Sequence, residues 1–82
     1  MTYHDLAFHP AHNRHCRLHF HDGSSVSGVF SSYFDDEPER LYLVRSNDLI
    51  AFKPLMESGD AKAMRPYCIP VDPALVKDVE LL

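Results

Sequence analysis

The 82-residue chain contains no tryptophan, only three glycines and only two cysteines, Cys16 and Cys68. No apolar stretch approaches the roughly 20 residues that cross a bilayer, and the first residues lack the basic and apolar segments of a secretory signal. Two cysteines in such a chain are usually reduced thiols that are buried as small apolar side chains. They do not indicate a disulfide framework. We therefore expect a cytoplasmic protein that has no disulfide and no membrane partner.

Basic residues are also scarce: 8 lysines and arginines stand against 12 acidic residues, for a formal net charge of −4. General nucleic-acid binders carry a basic excess, so this balance disfavours that class. The charge is uneven, however, because residues 6–21 contain no Asp or Glu but include two arginines and five of the six histidines. This segment forms a local basic strip that suits contacts with phosphate groups or an acidic partner.

Chain length and an apolar content of 45% predict one globular domain over residues 1–82. The core of so short a chain is limited, and small domains often gain stability by association. We therefore expect a homo-oligomer.

Short alternating segments predict mainly β structure. In residues 16–21 (CRLHFH) apolar and polar side chains alternate, and Asp22-Gly23 follows as a hairpin turn. In the second predicted strand, 25–34, Gly28 indicates a bend or close backbone packing. Residues 41–44 are apolar on both faces. Pro70 places its strand at a sheet edge or in a bulge, since proline cannot donate to a ladder.

The remaining segments predict less regular structure. In residues 1–15, Thr2 and Asp5 form a capping-box pattern that begins a short helix, and Pro10 ends it early. Residues 49–52 suggest an extension of the sheet. Residues 54–65 contain Gly59, small side chains and mixed charges, which predict a mobile loop or a short helix within it. Five or six short strands in one small domain favour a closed barrel.

Three stretches resemble the Sm-like family, which includes the bacterial Hfq proteins: 16–23 (CRLHFHDG), 26–30 (VSGVF) and the closing strands within 67–80. The resemblance implies a short N-terminal helix followed by a small, strongly bent, five-stranded barrel of the SH3-like type. It also implies assembly into rings and RNA binding near the pore. The RNA-binding signatures of the family are not matched, because the turn at 35–39 (DDEPE) lacks the expected asparagine.

The histidines and arginines of the basic strip are the candidate binding residues. We predict that Arg14, Arg17, His19 and His21 would contact nucleic acid if the strip binds it. His19 and His21 are two residues apart on one strand face, so with His15 they could hold a metal ion. Solvent-exposed polar side chains without a function are the simpler explanation for both patterns.

No pattern indicates catalysis. The serines lack a nucleophile elbow, the cysteines lack an activating histidine, and the acidic turn at 35–39 has no companion acid in a cleft. We expect neither enzymatic activity nor a cofactor. The sequence favours a binding or scaffolding module that self-associates through edge strands and meets an unknown protein partner. The alternative is an RNA- or DNA-binding protein that uses residues 9–21.

Overall fold

Helices and strands are distributed along the whole chain in the computed structural model, which describes all 82 residues. The helices are α1 (Tyr3–Ala7), α2 (Leu49–Ser58) and α3 (Ala61–Met64). The strands are β1 (His15–Phe20), β2 (Ser25–Ser31), β3 (Leu41–Arg45), β4 (Ile69–Val71) and β5 (Val76–Leu81). Short 3-10 turns occur at Ser46–Asp48, Arg65–Tyr67 and Pro73–Leu75. No helix is both long and apolar enough to span a membrane.

The five strands form one antiparallel sheet in the order β4-β3-β2-β1-β5. The predicted five-stranded β domain with a short N-terminal helix is therefore present in outline, with about one third of the residues in strands. The predicted closed barrel is wrong, because β4 and β5 lie at opposite edges of an open sheet. Helices between β3 and β4 cover apolar surface that closure of the sheet would otherwise have to bury.

Helix α1 begins where the capping box predicts it. The Thr2 hydroxyl accepts a hydrogen bond from the Asp5 amide, and the Asp5 carboxylate accepts one from the Thr2 amide. The hydrogen bond from the Thr2 amide, with a smaller contribution from the Thr2 hydroxyl, holds the pKa of Asp5 below its usual range. Leu6 is buried against the sheet, and the Met1 ammonium donates to the carbonyl oxygen of Val76 at 3.1 Å. The N-terminus is thus attached to β5.

Two glycines shape the β1–β2 hairpin and its crossing of β3. Gly23 has a φ of +90°, as the Asp-Gly turn requires, and Ser24 donates its amide hydrogen to the Asp22 carboxylate at 2.8 Å. Gly28 lies so close to β3 that a Cβ atom would be 2.0 Å from the carbonyl oxygen of Val44. The close packing that we predicted at Gly28 is confirmed.

The sheet has an inner face and an outer face, each with its own cluster of buried side chains. The inner cluster consists of Leu6, Ala11, Cys16, Leu18, Phe30, Leu41, Leu43, Val76 and Val79. The outer cluster consists of Phe34, Tyr42, Val44, Phe52 and Met64. Successive residues of a strand point to opposite faces, so β3 contributes to both clusters. This explains why residues 41–44 are apolar on both faces.

The sheet extension predicted at 49–52 and the mobile loop predicted at 54–65 are wrong, because these residues form α2 and α3. The alternative of a short helix within 54–65 is confirmed. Phe52 is buried in the outer cluster, which anchors α2 despite Pro54 in its interior. Gly59, with a φ of +71°, ends α2, and the Asp60 side chain caps α3 by accepting from the Ala63 amide. These capping residues were visible in the sequence, and they are typical of helix ends and not of a loop.

Candidate functional site

The polar side of β1 lies on the outer face, beyond the part that α2 and α3 cover. Cys16 and Leu18 are buried in the inner cluster, and His15, Arg17 and His19 project from the opposite face. Across the sheet, Arg17 pairs with Ser27 of β2 and Glu80 of β5. The predicted alternation of β1 therefore produces a polar surface that spans β2, β1 and β5.

Glu80 lies between two of the predicted nucleic-acid contacts. Its Oε1 atom is 3.1 Å from His19 Nε2 and 3.6 Å from Arg17 Nη1. All three side chains are about half exposed, and ion pairs at this level of exposure contribute little to stability. The more important effect is on local charge, because the carboxylate offsets the positive charge that β1 would otherwise present.

The other members of the predicted strip lie apart from Glu80. His15 Nε2 is 2.6 Å from the Ser46 hydroxyl, which also lies 3.1 Å from the Ser27 hydroxyl. Arg14 and His21 are exposed, and neither forms an ion pair. The strip is therefore divided into a His15–Ser46–Ser27 network, an Arg17–His19–Glu80 cluster and two separate exposed side chains.

The predicted metal site at His15, His19 and His21 is not formed, because the structure contains no group of three metal-ligating side chains. His15 and His19 are four residues apart along β1, which separates them by about 13 Å. We predicted that the strand continues through His21, but β1 ends at Phe20 and its register with β5 shifts between His19 and Phe20. His21 lies in the hairpin turn, outside the strand that carries His15 and His19.

The acidic turn at 35–39 is attached to the helical segment by one of its carboxylates. The Glu37 carboxylate accepts hydrogen bonds from the Arg65 guanidinium and from the Tyr42 hydroxyl, the latter at 2.6 Å. The Arg65 guanidinium also lies 3.8 Å from the centre of the Phe34 ring, within cation–π range. The hydrogen bond from Arg65 lowers the pKa of Glu37, and the Glu37 carboxylate raises the pKa of Tyr42. Glu37 is therefore a structural link between the turn and the outer cluster.

Neither cysteine is activated as a nucleophile. Both are free thiols, Cys16 being buried and Cys68 half-buried. Burial raises the pKa of Cys16 to about 11 and raises the pKa of Cys68 as well. Since the thiolate is the reactive form, both side chains are poorly reactive near neutral pH.

The edges of the sheet are the remaining surface feature. β4 has three residues, and Pro70 in its centre has no backbone N–H to donate. β5 has six residues and is paired only on the side that faces β1. Pro70 thus lies in an edge strand, as we predicted, and β5 offers the longer unpaired edge.

No protein-family model, no curated protein and no solved structure matches this chain.

Proposed function

We propose that the chain is a non-catalytic binding and scaffolding module that self-associates through the edge strands of its sheet. The observation that supports this proposal is the open sheet, in which the outer sides of β4 and β5 have no partner strand. Unpaired N–H and C=O groups along such an edge can pair with a strand of another molecule.

β5 is the better of the two edges for pairing. The Leu82 amide donates to the His15 carbonyl oxygen at 3.1 Å, and backbone groups alternate in direction along an antiparallel pair. The backbone N–H and C=O groups of Leu81 and Val79 therefore point away from β1. The side chains of Leu81 and Leu82 are 44% and 53% exposed, so apolar surface adjoins this edge.

Two contacts limit how much of the β5 edge is available. The Asp78 carboxylate accepts from the Val79 amide at 2.8 Å, and the Met1 ammonium occupies the Val76 carbonyl oxygen. Charged groups at an edge are a common way of restricting uncontrolled strand pairing. We therefore place the intermolecular pairing at the C-terminal end of β5, around Leu81.

The test is the native mass of the protein, measured by light scattering on a sizing column. We expect the natural chain to form an assembly of two or more copies. Leu81→Pro removes an outward N–H without touching the bonds to β1, so it should yield monomers. Leu81→Ala keeps the N–H and serves as the matched control, which should remain assembled. Circular dichroism of both variants checks that the sheet is retained.

A second variant should act in the opposite direction. Asp78→Ala frees the Val79 N–H for an incoming strand, so it should shift the equilibrium toward the assembly. A natural chain that is monomeric at every concentration would overturn the proposal. So would equal masses for the Leu81→Pro and Leu81→Ala variants.

The alternative function, binding of RNA or DNA by residues 9–21, receives less support. Glu80 offsets the charge of Arg17 and also contacts His19, which leaves Arg14 as the one arginine of the strip without an acidic partner. Phosphate contacts depend on accessible cationic side chains, so this arrangement weakens the strip as an electrostatic surface. Anisotropy of a labelled single-stranded RNA at low salt, measured on the same samples, would detect any such binding.

A further inference from the structure

A groove lies on the outer face between α2 and β2, outside the surfaces described so far. Its volume is about 590 Å³, within the usual range of small-molecule sites. From α2 it is lined by Leu49, Phe52, Lys53 and Met56. These residues are spaced three, four and seven apart, so they share one face of the helix. Phe52 reaches into the outer cluster, and the exposed Met56 extends over the groove.

The wall contributed by β2 is largely apolar. Val29 presents its side chain, and the Tyr33 hydroxyl donates to the Val29 carbonyl oxygen at 2.8 Å. This hydrogen bond gives the Tyr33 hydroxyl a partner and leaves the Tyr33 ring and the Val29 isopropyl group as the surface. Ser31 and Ser32 add the hydroxyl groups that line the groove. The site therefore combines an apolar wall with a small number of polar groups, as ligand sites commonly do.

One cationic side chain gives the groove its charge. Lys53 is the only charged residue that lines it, and Lys53 forms no ion pair within the chain. The net charge of the whole protein is −4, so Lys53 is a local positive charge beside an apolar groove on a protein with an acidic excess. An ammonium at the rim of an apolar groove complements a ligand that has an apolar body and one negative group.

We propose that this groove binds a small amphipathic carboxylate, such as a medium-chain fatty acid. The apolar chain lies along Val29, Phe52 and Met56, and the carboxylate meets the Lys53 ammonium. None of these residues belongs to the β5 edge. The proposal is thus independent of self-association, and either one can fail without the other.

The experiment titrates decanoate into the protein by calorimetry and maps the site by amide chemical shifts. Decyltrimethylammonium has the same chain length and the opposite charge, so it tests the role of Lys53. We expect saturable binding of decanoate, with the largest shifts at Ser31, Lys53 and Met56, and clearly weaker binding of the cation. Lys53→Ala should weaken decanoate binding up to about fivefold, the usual range for an exposed ion pair. Lys62→Ala, which alters an exposed lysine of α3 outside the groove, should leave it unchanged.

A second variant tests the apolar wall. Met56→Asp places a carboxylate on a half-exposed side chain that belongs to neither buried cluster, and it should weaken decanoate binding by about tenfold or more. Absence of saturable decanoate binding would overturn the proposal, as would equal affinity for the cation or equal effects of Lys53→Ala and Lys62→Ala. If Met56→Asp instead lowers the native mass, the groove is occupied by a second copy and the proposal is wrong.

Discussion

The two faces of the sheet are covered in different ways. The inner face is buried over its centre by Leu6 of α1, by Ala11 and by side chains of the strands themselves, which together form the nine-residue inner cluster. The outer face is covered only over β3 and its surroundings, where α2 and α3 supply Phe52 and Met64. Over β1 and β5 the outer face remains open and polar, with Arg17, His19 and Glu80 on it.

The difference shows that the side-chain pattern of each strand records how many of its faces are covered. In β3 the side chains on both faces are apolar, and Leu43 and Val44, which point to opposite faces, are 1% and 0% exposed. In β1 only the side chains on the inner face are apolar, and only that face is buried. The surfaces proposed for binding therefore lie where the cover of the outer face is incomplete or where the sheet ends.

The largest expected effects come from removing one large side chain from each face. Phe30→Ala in the inner cluster and Phe52→Ala in the outer cluster should each lower the free energy of unfolding by about 3–5 kcal/mol. If α2 and α3 are a cover that opens separately, Phe52→Ala should accelerate hydrogen exchange mainly in those helices. Phe30→Ala should accelerate exchange throughout the sheet.

A milder pair of substitutions makes the same comparison with a smaller loss of stability. A domain of this size has a free energy of unfolding of about 4–12 kcal/mol, so an alanine variant can approach complete unfolding. Phe30→Leu and Phe52→Leu retain most of the side-chain volume and should cost about 1 kcal/mol each. Equal acceleration of exchange in α2 and in β1 by both leucine variants would show that the two faces unfold as one unit.

The next largest effect concerns the crossing of β2 over β3. In Gly28→Ala the new methyl group would meet the backbone of Val44, which cannot move aside as a side chain can. The strands must separate, and we expect a loss of about 3 kcal/mol in urea unfolding. Gly23→Ala is the matched control: its Cβ meets no atom within 4 Å, so only the positive φ is strained. It should cost about 1 kcal/mol, and a cost equal to that of Gly28→Ala would contradict the close-packing explanation.

The parts of the fold that sequence predicts are those set by neighbouring residues. The Asp22-Gly23 hairpin, the capping box at Thr2 and the edge position of Pro70 each depend on the conformational limits of one or two residues. Helix α2 was missed because its first residues, 49–52, were assigned to the sheet and the following segment to a loop. Burial of Phe52 in the outer cluster outweighs the one hydrogen bond that Pro54 cannot make. Closure of the barrel was mispredicted for a related reason, since the need to close depends on what else covers the sheet.

The site was less predictable than the fold because its contacts join distant parts of the chain. His19 and Glu80 are 61 residues apart, and only the register of β1 with β5 brings them together. The irregularity of that pairing between His19 and Phe20, where β5 has one extra residue, also depends on the distant strand. Arg65 and Glu37 are 28 residues apart and meet only because α3 returns to the acidic turn. No local pattern in the sequence encodes these pairs.

The smallest expected effect concerns the ion pair at the margin of the outer cluster. Hydrogen bonds from Arg65 and Tyr42 lower the pKa of Glu37 in the folded chain relative to its ordinary value of 4.5. The folded state therefore favours the ionised carboxylate, and this contribution is complete above the ordinary value and lost as pH falls through the lower, folded value. Glu37→Gln should be less stable than the natural chain near neutral pH, and the difference between them should shrink in acid.

Exchange measurements locate this effect on one face of the sheet. Loss of the Glu37 link should accelerate amide exchange in α3 at neutral pH and leave β1 unchanged, because Arg65 follows α3 directly. Asp22→Asn is the control, since hydrogen bonds from Ser24 also lower the pKa of Asp22, but in the hairpin turn. The stability difference between Asp22→Asn and the natural chain should also shrink in acid. Amide exchange in α3 should not change in this variant. A Glu37→Gln deficit that is constant across the acid range would mean that the carboxylate charge contributes nothing, and the attachment of the outer cover would then rest on apolar packing alone.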